Sequence, residues 1–181
     1  MFGVDANYNS GLNLHAYLNE DIILKCFGRE LVVKDLSQNK SWHTAIYSRD
    51  SSGNLYMCIY NNYTNTFSSV SYINHTDELD LSIQTSIFSG KSEVLQDWDG
   101  QIAEFYFTDQ HIDFSQESNR NLFVNQLGYV RSLDEPIAQG LIPEPLIYLK
   151  FDDPNNLGKN SGTGGDFVVN GSVTQGSDFT L

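Results

Sequence analysis

Three carboxylates surround Gly100, and their types and spacing come nearest in this chain to a catalytic arrangement. Asp97 and Asp99 precede the glycine, and Glu104 follows it within a dense β-forming run at 102–107. Hydrolysis of a glycosidic bond needs two carboxyl groups about 5 to 9 Å apart on either side of the scissile bond. Glu104 is the only carboxylate inside the run. The sequence therefore predicts a structural strand here and no catalytic residue.

Other catalytic motifs are absent from the sequence. It contains no G-x-S-x-G nucleophile elbow, no P-loop and no H-E-x-x-H zinc motif. The glycine-rich run at 160–165 precedes a predicted strand rather than a helix, so it is not expected to cradle phosphate. His43 follows Trp42 in a predicted strand and is expected to be structural. The chain is therefore predicted not to be an enzyme. The alternative is a glycan-cleaving site in which another strand supplies the second carboxylate beside Glu104.

A polar and aromatic segment at 61–66 has the composition of a sugar-binding loop. Its candidate contacts are Asn61, Asn62, Tyr63 and Asn65. An exposed tyrosine offers an apolar face to a pyranose ring, and asparagine amides can satisfy paired hydroxyl groups. Such loops are also common in β proteins that bind no ligand, so both interpretations stay open.

Composition and charge disfavour several classes of partner. The chain has 181 residues, with 23 acidic and 10 basic side chains and a formal net charge of −13. Nucleic-acid binding requires a basic footprint, and anionic membrane surfaces repel an acidic chain. No apolar run approaches the length of a membrane span, and the first residues are not expected to form a signal peptide. We expect a single domain spanning 1–181, because a chain of this length can bury a sizeable core.

The two cysteines, Cys26 and Cys58, each lie within an apolar, strand-like run. Nothing else in the sequence suggests a scaffold held by disulfides, so buried free thiols are favoured over a disulfide bond. Neither cysteine belongs to a C-x-x-C motif, which disfavours a structural zinc site.

The hydrophobic pattern predicts a series of short strands separated by polar turns. The predicted strands are 12–18, 22–27, 31–33, 41–48, 55–60, 72–73, 81–83, 102–107, 144–149 and 167–172. The first three have the spacing of a β meander. The next two flank a turn at 49–54 and are expected to form a hairpin.

One helix is predicted, near residues 115–127. Ser115 is its expected N-cap, Glu117 suits the positive end of the helix, and Gly128 is expected to end it. The apolar stripe expected to pack on the core consists of Leu122, Phe123 and Leu127.

The central hairpin and the strand-plus-helix unit after it carry a family resemblance. Trp42 and His43 open one strand, its partner begins with the run Gly-Asn-Leu-Tyr at 53–56, and the helix follows the run at 97–107. This arrangement resembles laminin-G-like and pentraxin-like domains, which belong to the concanavalin A-like lectins. The resemblance implies an antiparallel β-sandwich of jelly-roll type with one short helix.

A composite motif in the last third narrows the resemblance to a laminin-G-like module common in virion proteins of tailed phages. The motif residues are Asn119, Arg120, Phe123, 145–149, Asn160, 162–165, Phe167 and Gly171. The leading strands of that family have no counterpart before Met1. The chain is therefore expected either to be part of a longer protein or to complete its sandwich differently.

The same resemblance implies a Ca²⁺ ion as the one candidate cofactor, held at the rim of the sandwich by aspartates and loop carbonyls. The candidate ligands by position are Asp77, Asp80, Asp97 and Asp99, with Asp152 and Asp153 as a second group. No EF-hand spacing is present, and acidic loops are often only solvated, so a site without metal stays open.

The function predicted from the sequence is that of a non-catalytic structural or adhesion protein of a bacteriophage virion. A tail fibre, a tail tip or a head surface are the expected locations. The expected partners are other virion proteins in an oligomeric assembly and glycans of the host surface. Two alternatives stay open, which are a glycan-cleaving enzyme and a purely structural module that joins subunits and binds no ligand.

Overall fold

The computed structural model describes residues 2–3, 12–16, 22–26, 29–33, 43–61, 64–72, 86–87, 102–124, 131–169 and 174. The strands of this part of the chain are β1 (Phe2–Gly3), β2 (Leu12–Ala16), β3 (Ile22–Cys26), β4 (Arg29–Val33), β5 (His43–Arg49), β6 (Leu55–Asn61), β7 (Thr66–Tyr72), β8 (Ser86–Ile87), β9 (Phe105–Phe107) and β10 (Ile147–Leu149). Two short helices, α1 (Glu117–Arg120) and α2 (Asp134–Ala138), lie in the second half. All pairs formed by these strands are antiparallel, which agrees with the predicted all-β class.

The predicted N-terminal meander is confirmed. β3 lies between β2 and β4 in a three-stranded sheet. Leu14 stands opposite Leu24, and Leu24 stands opposite Leu31 in the next pair. Strands this close in sequence pair antiparallel because their short connections leave no room for a crossover.

The predicted central hairpin is also confirmed, as β5 and β6. Its turn is held by the Asp50 carboxylate, which accepts the backbone N–H groups of Ser52 at 2.9 Å and Asn54 at 2.8 Å. Gly53 has a φ of 81°, a conformation that glycine adopts without steric cost. Nearly all side chains of β6 are buried, as expected for the central strand of the sheet β5-β6-β7.

β7 pairs with β6 along its whole length, from Thr66 opposite Asn61 to Tyr72 opposite Leu55. Only residues 72–73 of this region are predicted from the sequence to be strand, because the serines of β7 weaken the hydrophobic signal. The backbone hydrogen bonds to β6 hold this segment as a strand, although its side chains show no clear strand pattern. The predicted strand at 81–83 lies outside the described residues.

β9 and β10 form a two-stranded ladder with Tyr106 opposite Tyr148. Both strands are shorter than predicted, because residues 102–104 and 144–146 have no strand structure. The predicted closing strand is wrong for 167–169, which also lie outside any strand. The N–H of Phe167 instead donates to the carbonyl of Gly158 at 2.8 Å. Residues 170–172 lie outside the described part of the chain.

The predicted helix is present as α1 but is shorter, and its N-cap is not Ser115. Gln116 occupies the N-cap position and makes no side-chain capping bond. Ser115 instead donates its N–H and its hydroxyl to the Asp113 carboxylate, at 3.0 Å and 2.5 Å. These bonds hold Ser115 in a turn that precedes the helix.

Glu117 occupies the first turn of α1, as predicted, and the helix ends at Arg120. Gly128 therefore does not end it, and residues 125–130 lie outside the described part of the chain. α2 was not expected from the sequence, because its five residues are too few to show a periodic pattern. No helix of the described residues is long and apolar enough to span a membrane.

The described core includes two clusters that share a packing residue. The first joins β5 and β6 to the chain around α1 through the buried residues Ile46, Cys58, Tyr60, Phe114 and Val124. The second joins β10 to the chain around α2 through Leu133, Ile142 and Tyr148. Phe123 packs against both clusters, so one aromatic ring links the two sheets. Leu122, also predicted to face the core, packs against the second cluster. Leu127 lies outside the described residues.

The predicted free, buried thiol is confirmed for Cys58. It is fully buried and forms no disulfide bond. Burial raises the pKa of this thiol to about 12, so it is an inert part of the core rather than a nucleophile. The side chain of Cys26 lies outside the described part of the structure.

Candidate functional site

The predicted sugar-binding residues at 61–66 lie at the connection between β6 and β7. Asn61 is only 5% exposed, and its side-chain oxygen accepts the N–H of Thr64 at 3.2 Å. Asn65 is exposed and accepts the hydroxyl of Tyr60 at 3.1 Å. Both described asparagines therefore hold the turn, and a sugar contact here stays a prediction. Asn62 and Tyr63 lie outside the described residues.

Asn65 has a φ of 54°, in the left-handed region that asparagine tolerates better than most residues. The hydroxyls of Thr64 and Thr66 are hydrogen-bonded at 2.7 Å across the same turn. The described polar side chains of this segment, which suggest ligand binding in the sequence, thus form hydrogen bonds that hold a tight turn.

The Asn-Arg pair of the composite motif fastens the turn before α1. Asn119 donates its side-chain N–H to the carbonyl of Asp113 at 2.9 Å. Arg120 donates to the carbonyls of Phe114 at 2.7 Å and Ser115 at 2.8 Å. The Arg120 guanidinium also lies 5.1 Å from the ring centre of Phe67 on β7. These contacts bind α1 to the sheet β5-β6-β7.

The Asn160 side chain joins the glycine-rich loop at 160–165 to β10. Its oxygen accepts the N–H groups of Tyr148 at 2.7 Å and Gly162 at 2.9 Å, and its nitrogen donates to the carbonyl of Leu146 at 3.0 Å. Asn160 also forms an isolated β-bridge with Leu149. The side-chain nitrogen also donates to the carbonyl of Gly165 at 3.4 Å, so one amide bonds to four backbone groups, two of them on a distant segment.

The glycines of this loop allow its close approach to β10. A Cβ added to Gly162 would lie 2.7 Å from the carbonyl oxygen of Pro145 and 2.8 Å from that of Leu146. Gly164 has a similar constraint, since its added Cβ would lie 2.9 Å from the Leu146 oxygen. The loop is thus a packing element beside a strand, which agrees with the expectation that it does not cradle phosphate.

Most of the calcium candidates cannot be placed. Asp77, Asp80, Asp97 and Asp99 lie outside the described residues, so a Ca²⁺ site formed by them stays a prediction. Asp152 lies 3.6 Å from the Lys150 ammonium, and Asp153 accepts the N–H of Asn155 at 2.9 Å. Among the described residues, no group of three or more His, Cys, Asp and Glu side chains is placed to hold a metal ion.

Glu104 is partly buried just before β9 and is the most strongly perturbed carboxylate of the described residues. Burial raises its pKa to about 7, and the nearby Asp134 carboxylate adds to the increase. Hydrogen bonding with the Tyr148 hydroxyl and the N–H of Leu133 opposes the increase, as does the positive charge of Lys150. Glu104 therefore exchanges a proton near neutral pH, which its sequence context does not reveal.

Groups from β10 and α2 surround Glu104. The Tyr148 hydroxyl accepts the N–H of Leu133 at 3.0 Å, and Tyr148 is only 1% exposed. The Lys150 ammonium lies 3.2 Å from the Asp134 carboxylate. Asp134 is exposed and paired with a cation, whereas Glu104 is partly buried. The two carboxyl groups therefore occupy different environments, as in sites where one acts as acid and the other as base.

An open depression lies in the last described segment. It has a volume of about 320 Å³ and is lined by Pro154, Asn155, Asn156, Leu157, Phe167 and Val169. It combines amide groups with aromatic and aliphatic surface. Asn155 and Asn156 are not candidate site residues in the sequence, because nothing there shows that Phe167, more than ten residues further along the chain, lies near them.

Comparison with protein-family models, with curated proteins and with solved structures finds no match to this chain.

Proposed function

We propose that this chain is a non-catalytic structural or adhesion component of a phage virion, folded as a laminin-G-like jelly roll. The observation that carries the proposal is the mutual contact of the composite-motif residues. Asn160, Gly162 and Gly164 lie against 145–148, although at least 12 residues separate the two segments. A motif whose distant parts contact one another behaves as a fold signature rather than as a chance string of residues.

The contacts of the motif also favour a structural role over catalysis. Asn119, Arg120 and Asn160 direct their side-chain hydrogen bonds at backbone carbonyl and N–H groups of the same chain. Residues used in this way position loops and do not act on a substrate. The net charge of −13 supports partners other than nucleic acid, such as neighbouring virion proteins and neutral surface glycans.

The proposal is tested on intact phage particles. A phage lysate from a host that carries the coding sequence is purified by density gradient, and the particle proteins are digested and identified by mass spectrometry. We expect peptides of this chain at a copy number consistent with a symmetric assembly. Their absence from purified particles, with other virion proteins detected, would overturn the proposal.

The second candidate function is a glycan-cleaving enzyme, favoured by one observation. Glu104, with a pKa of about 7, is suited to act as a general acid, and the nearby Asp134 carboxylate supplies a second carboxyl group. The test is depolymerisation of host capsular and cell-wall polysaccharides by wild type and by Glu104→Gln. Cleavage by wild type that the variant loses would support this candidate, and an inactive wild type would exclude it for those substrates.

A further inference from the structure

Polar contacts at the start of α2 tie this short helix to the end of β10. The N–H of Leu133, at the N-cap position, donates to the hydroxyl of Tyr148 at 3.0 Å. The carboxylate of the next residue, Asp134, lies 3.2 Å from the Lys150 ammonium. A helix of five residues is not stable by itself, so α2 depends on such contacts for its position.

Glu104 belongs to the same group of side chains. Its carboxyl group accepts hydrogen bonds from the Tyr148 hydroxyl and from the N–H of Leu133, the two groups that join α2 to β10. Tyr148 is 1% exposed, so this junction lies at the edge of the buried core. The protonation of Glu104 is therefore coupled to the contact between α2 and β10.

Charged groups on both sides of Glu104 act on its carboxylate in opposite directions. Asp134, from α2, repels the ionised form, and Lys150, directly after β10, attracts it. The Lys150 ammonium is shared, because Asp134 and Asp152 lie 3.2 Å and 3.6 Å from it. One partly exposed cation thus faces three carboxyl groups. An ionised Glu104 is incompletely compensated as long as α2 stays in place.

The α2 segment, defined as residues 132–142, is the smallest element that contacts Glu104. We propose that this segment is a pH-sensitive switch, which stays closed on β10 while Glu104 is protonated and opens locally when Glu104 ionises. Opening hydrates the carboxylate and separates it from Asp134. Release of β10 instead would break its ladder with β9, at a higher cost in free energy.

The direction of the switch follows from proton linkage. In the closed state burial raises the pKa of Glu104 to about 7, whereas an opened segment returns it towards the ordinary value of 4.5. The closed state therefore holds more protons between these values, and opening becomes more favourable as the pH rises through them. Leu133 and Ile142, which pack with Tyr148 in the second core cluster, would then become accessible to solvent above neutral pH.

The test is amide hydrogen exchange of the full chain at about pH 5.5 and about pH 8, corrected for the intrinsic rate at each pH. The N–H groups of Ile137, Gln139 and Gly140 report on the α2 segment, because they donate to carbonyls within it at 2.9 to 3.0 Å. Their protection should fall about tenfold from the lower to the higher pH, a value reduced for the exposed part of the Glu104 carboxyl group.

The amides of β6 are the internal reference, since this strand is paired on both sides. The amides of the α2 segment should be less protected than those of β6 at both pH values. Low concentrations of urea should hardly accelerate their exchange, because a local opening exposes little surface. These measurements on wild type do not depend on the folding of any variant.

Glu104→Gln should remove the pH dependence and keep the α2 segment protected at the higher pH. Glu135→Gln is the matched control, because Glu135 is an exposed acid in the first turn of α2. It accepts the Gln139 side-chain N–H at 2.9 Å, and a glutamine at this position retains an accepting oxygen. This variant should keep the pH dependence of wild type. Thermal unfolding verifies that both variants are folded.

Three results would overturn the inference. Corrected protection of the α2 segment that is the same at both pH values would show that Glu104 does not control it. Protection and urea dependence equal to those of β6 would show that Glu104 acts on the whole fold and opens no local segment. A pH dependence that persists in Glu104→Gln would assign the switch to another group. Detection of the chain in purified particles is independent of all three.

Discussion

Two polar connections of this protein use an asparagine side chain for different purposes. In the β6–β7 turn, Asn61 accepts the N–H of Thr64, three residues further along the chain. In the loop at 160–165, the Asn160 amide bonds to Tyr148 and Leu146, which are 12 and 14 residues away. The first asparagine shapes a local turn, whereas the second holds a loop against a strand.

This difference indicates which of the two hydrogen-bonded connections stabilises the whole fold and which stabilises only a turn. A local side-chain bond can form in a fragment, so its loss affects one turn. A bond between distant segments forms only when the fold is complete, and it then satisfies backbone groups that water cannot reach. The loop at 160–165 should therefore contribute more to global stability than the turn at 61–66, although an asparagine side chain holds each of them.

The largest expected effect is that of Asn160→Ala. The substitution removes four hydrogen bonds and leaves the N–H of Tyr148, a residue that is 1% exposed, without its acceptor. We expect a loss of roughly 2–4 kcal/mol in the free energy of unfolding, measured by urea denaturation. Asn155→Ala, on the exposed surface of the adjacent turn, is the control and should change the free energy by about 0.5 kcal/mol or less. Equal effects of the two variants would contradict the assigned role of Asn160.

The second prediction tests the close approach of the same loop to β10. In Gly162→Ala the new methyl group would lie 2.7 Å from the Pro145 carbonyl oxygen, so the loop must move away and strain the Asn160 bonds. We expect a loss of roughly 1–3 kcal/mol. Gly165→Ala is the matched control, because an added Cβ there meets no atom within 4 Å. Thermal unfolding of both variants, recorded side by side, should show a decrease in Tm only for Gly162→Ala.

The strands with a clear hydrophobic alternation could be predicted from the sequence. The meander β2–β4 and the hairpin β5–β6 agree with their predicted positions within a few residues, because burial of one face imposes the period-two pattern. β7 could not be predicted over its full length, since pairing with β6 rather than its serine-rich sequence makes it a strand. For β7, contacts in the folded protein therefore outweigh the β propensity of its own residues.

The candidate sites were harder to predict, because they depend on contacts between distant residues. Asn160 is recognisable as part of a motif, but its four backbone partners are not. Ser115 has the residue type of an N-cap, yet the neighbouring Asp113 carboxylate binds it in the preceding turn. Glu104 is a lone strand carboxylate in the sequence, and its pKa is raised by its burial in the folded chain and by the nearby Asp134 carboxylate. The burial of a residue and the charges near it in space cannot be read from the spacing of residues along the chain.

The third prediction concerns Glu104, the partly buried carboxyl group just before β9. Glu104 has a pKa of about 7 in the folded chain, against an ordinary value of 4.5. Between these values the folded chain keeps a proton that the unfolded chain has lost, so stability decreases as the pH rises from about 4.5 to about 7. Above that window the wild type carries the full cost of a buried charge.

Glu104→Gln removes this cost while keeping the shape of the side chain. The variant should be more stable than wild type by about 1–2 kcal/mol at about pH 8, a value reduced for partial solvent screening, and nearly equal to it at about pH 4. Urea denaturation at the two pH values measures the difference. Asp113 and Asp166 have lowered pKa values and titrate below this pH window. Their contribution to the stability is the same in the variant and in wild type, so it cancels from the difference. A stability difference that does not change with pH would contradict the assigned pKa.

The smallest expected effect is that of Asn61→Ala, which tests the asparagine that holds only a local turn. Loss of the acceptor for the Thr64 N–H should cost about 1 kcal/mol, less than half the effect of Asn160→Ala. Asn61→Asp retains the accepting oxygen and should recover most of that loss. Hydrogen exchange should increase at Thr64 in the alanine variant while the amide of Tyr148 on β10 stays protected. Loss of protection at Tyr148 as well would show that the turn at 61–66 stabilises the whole fold, and the distinction between a local and a long-range asparagine would then fail.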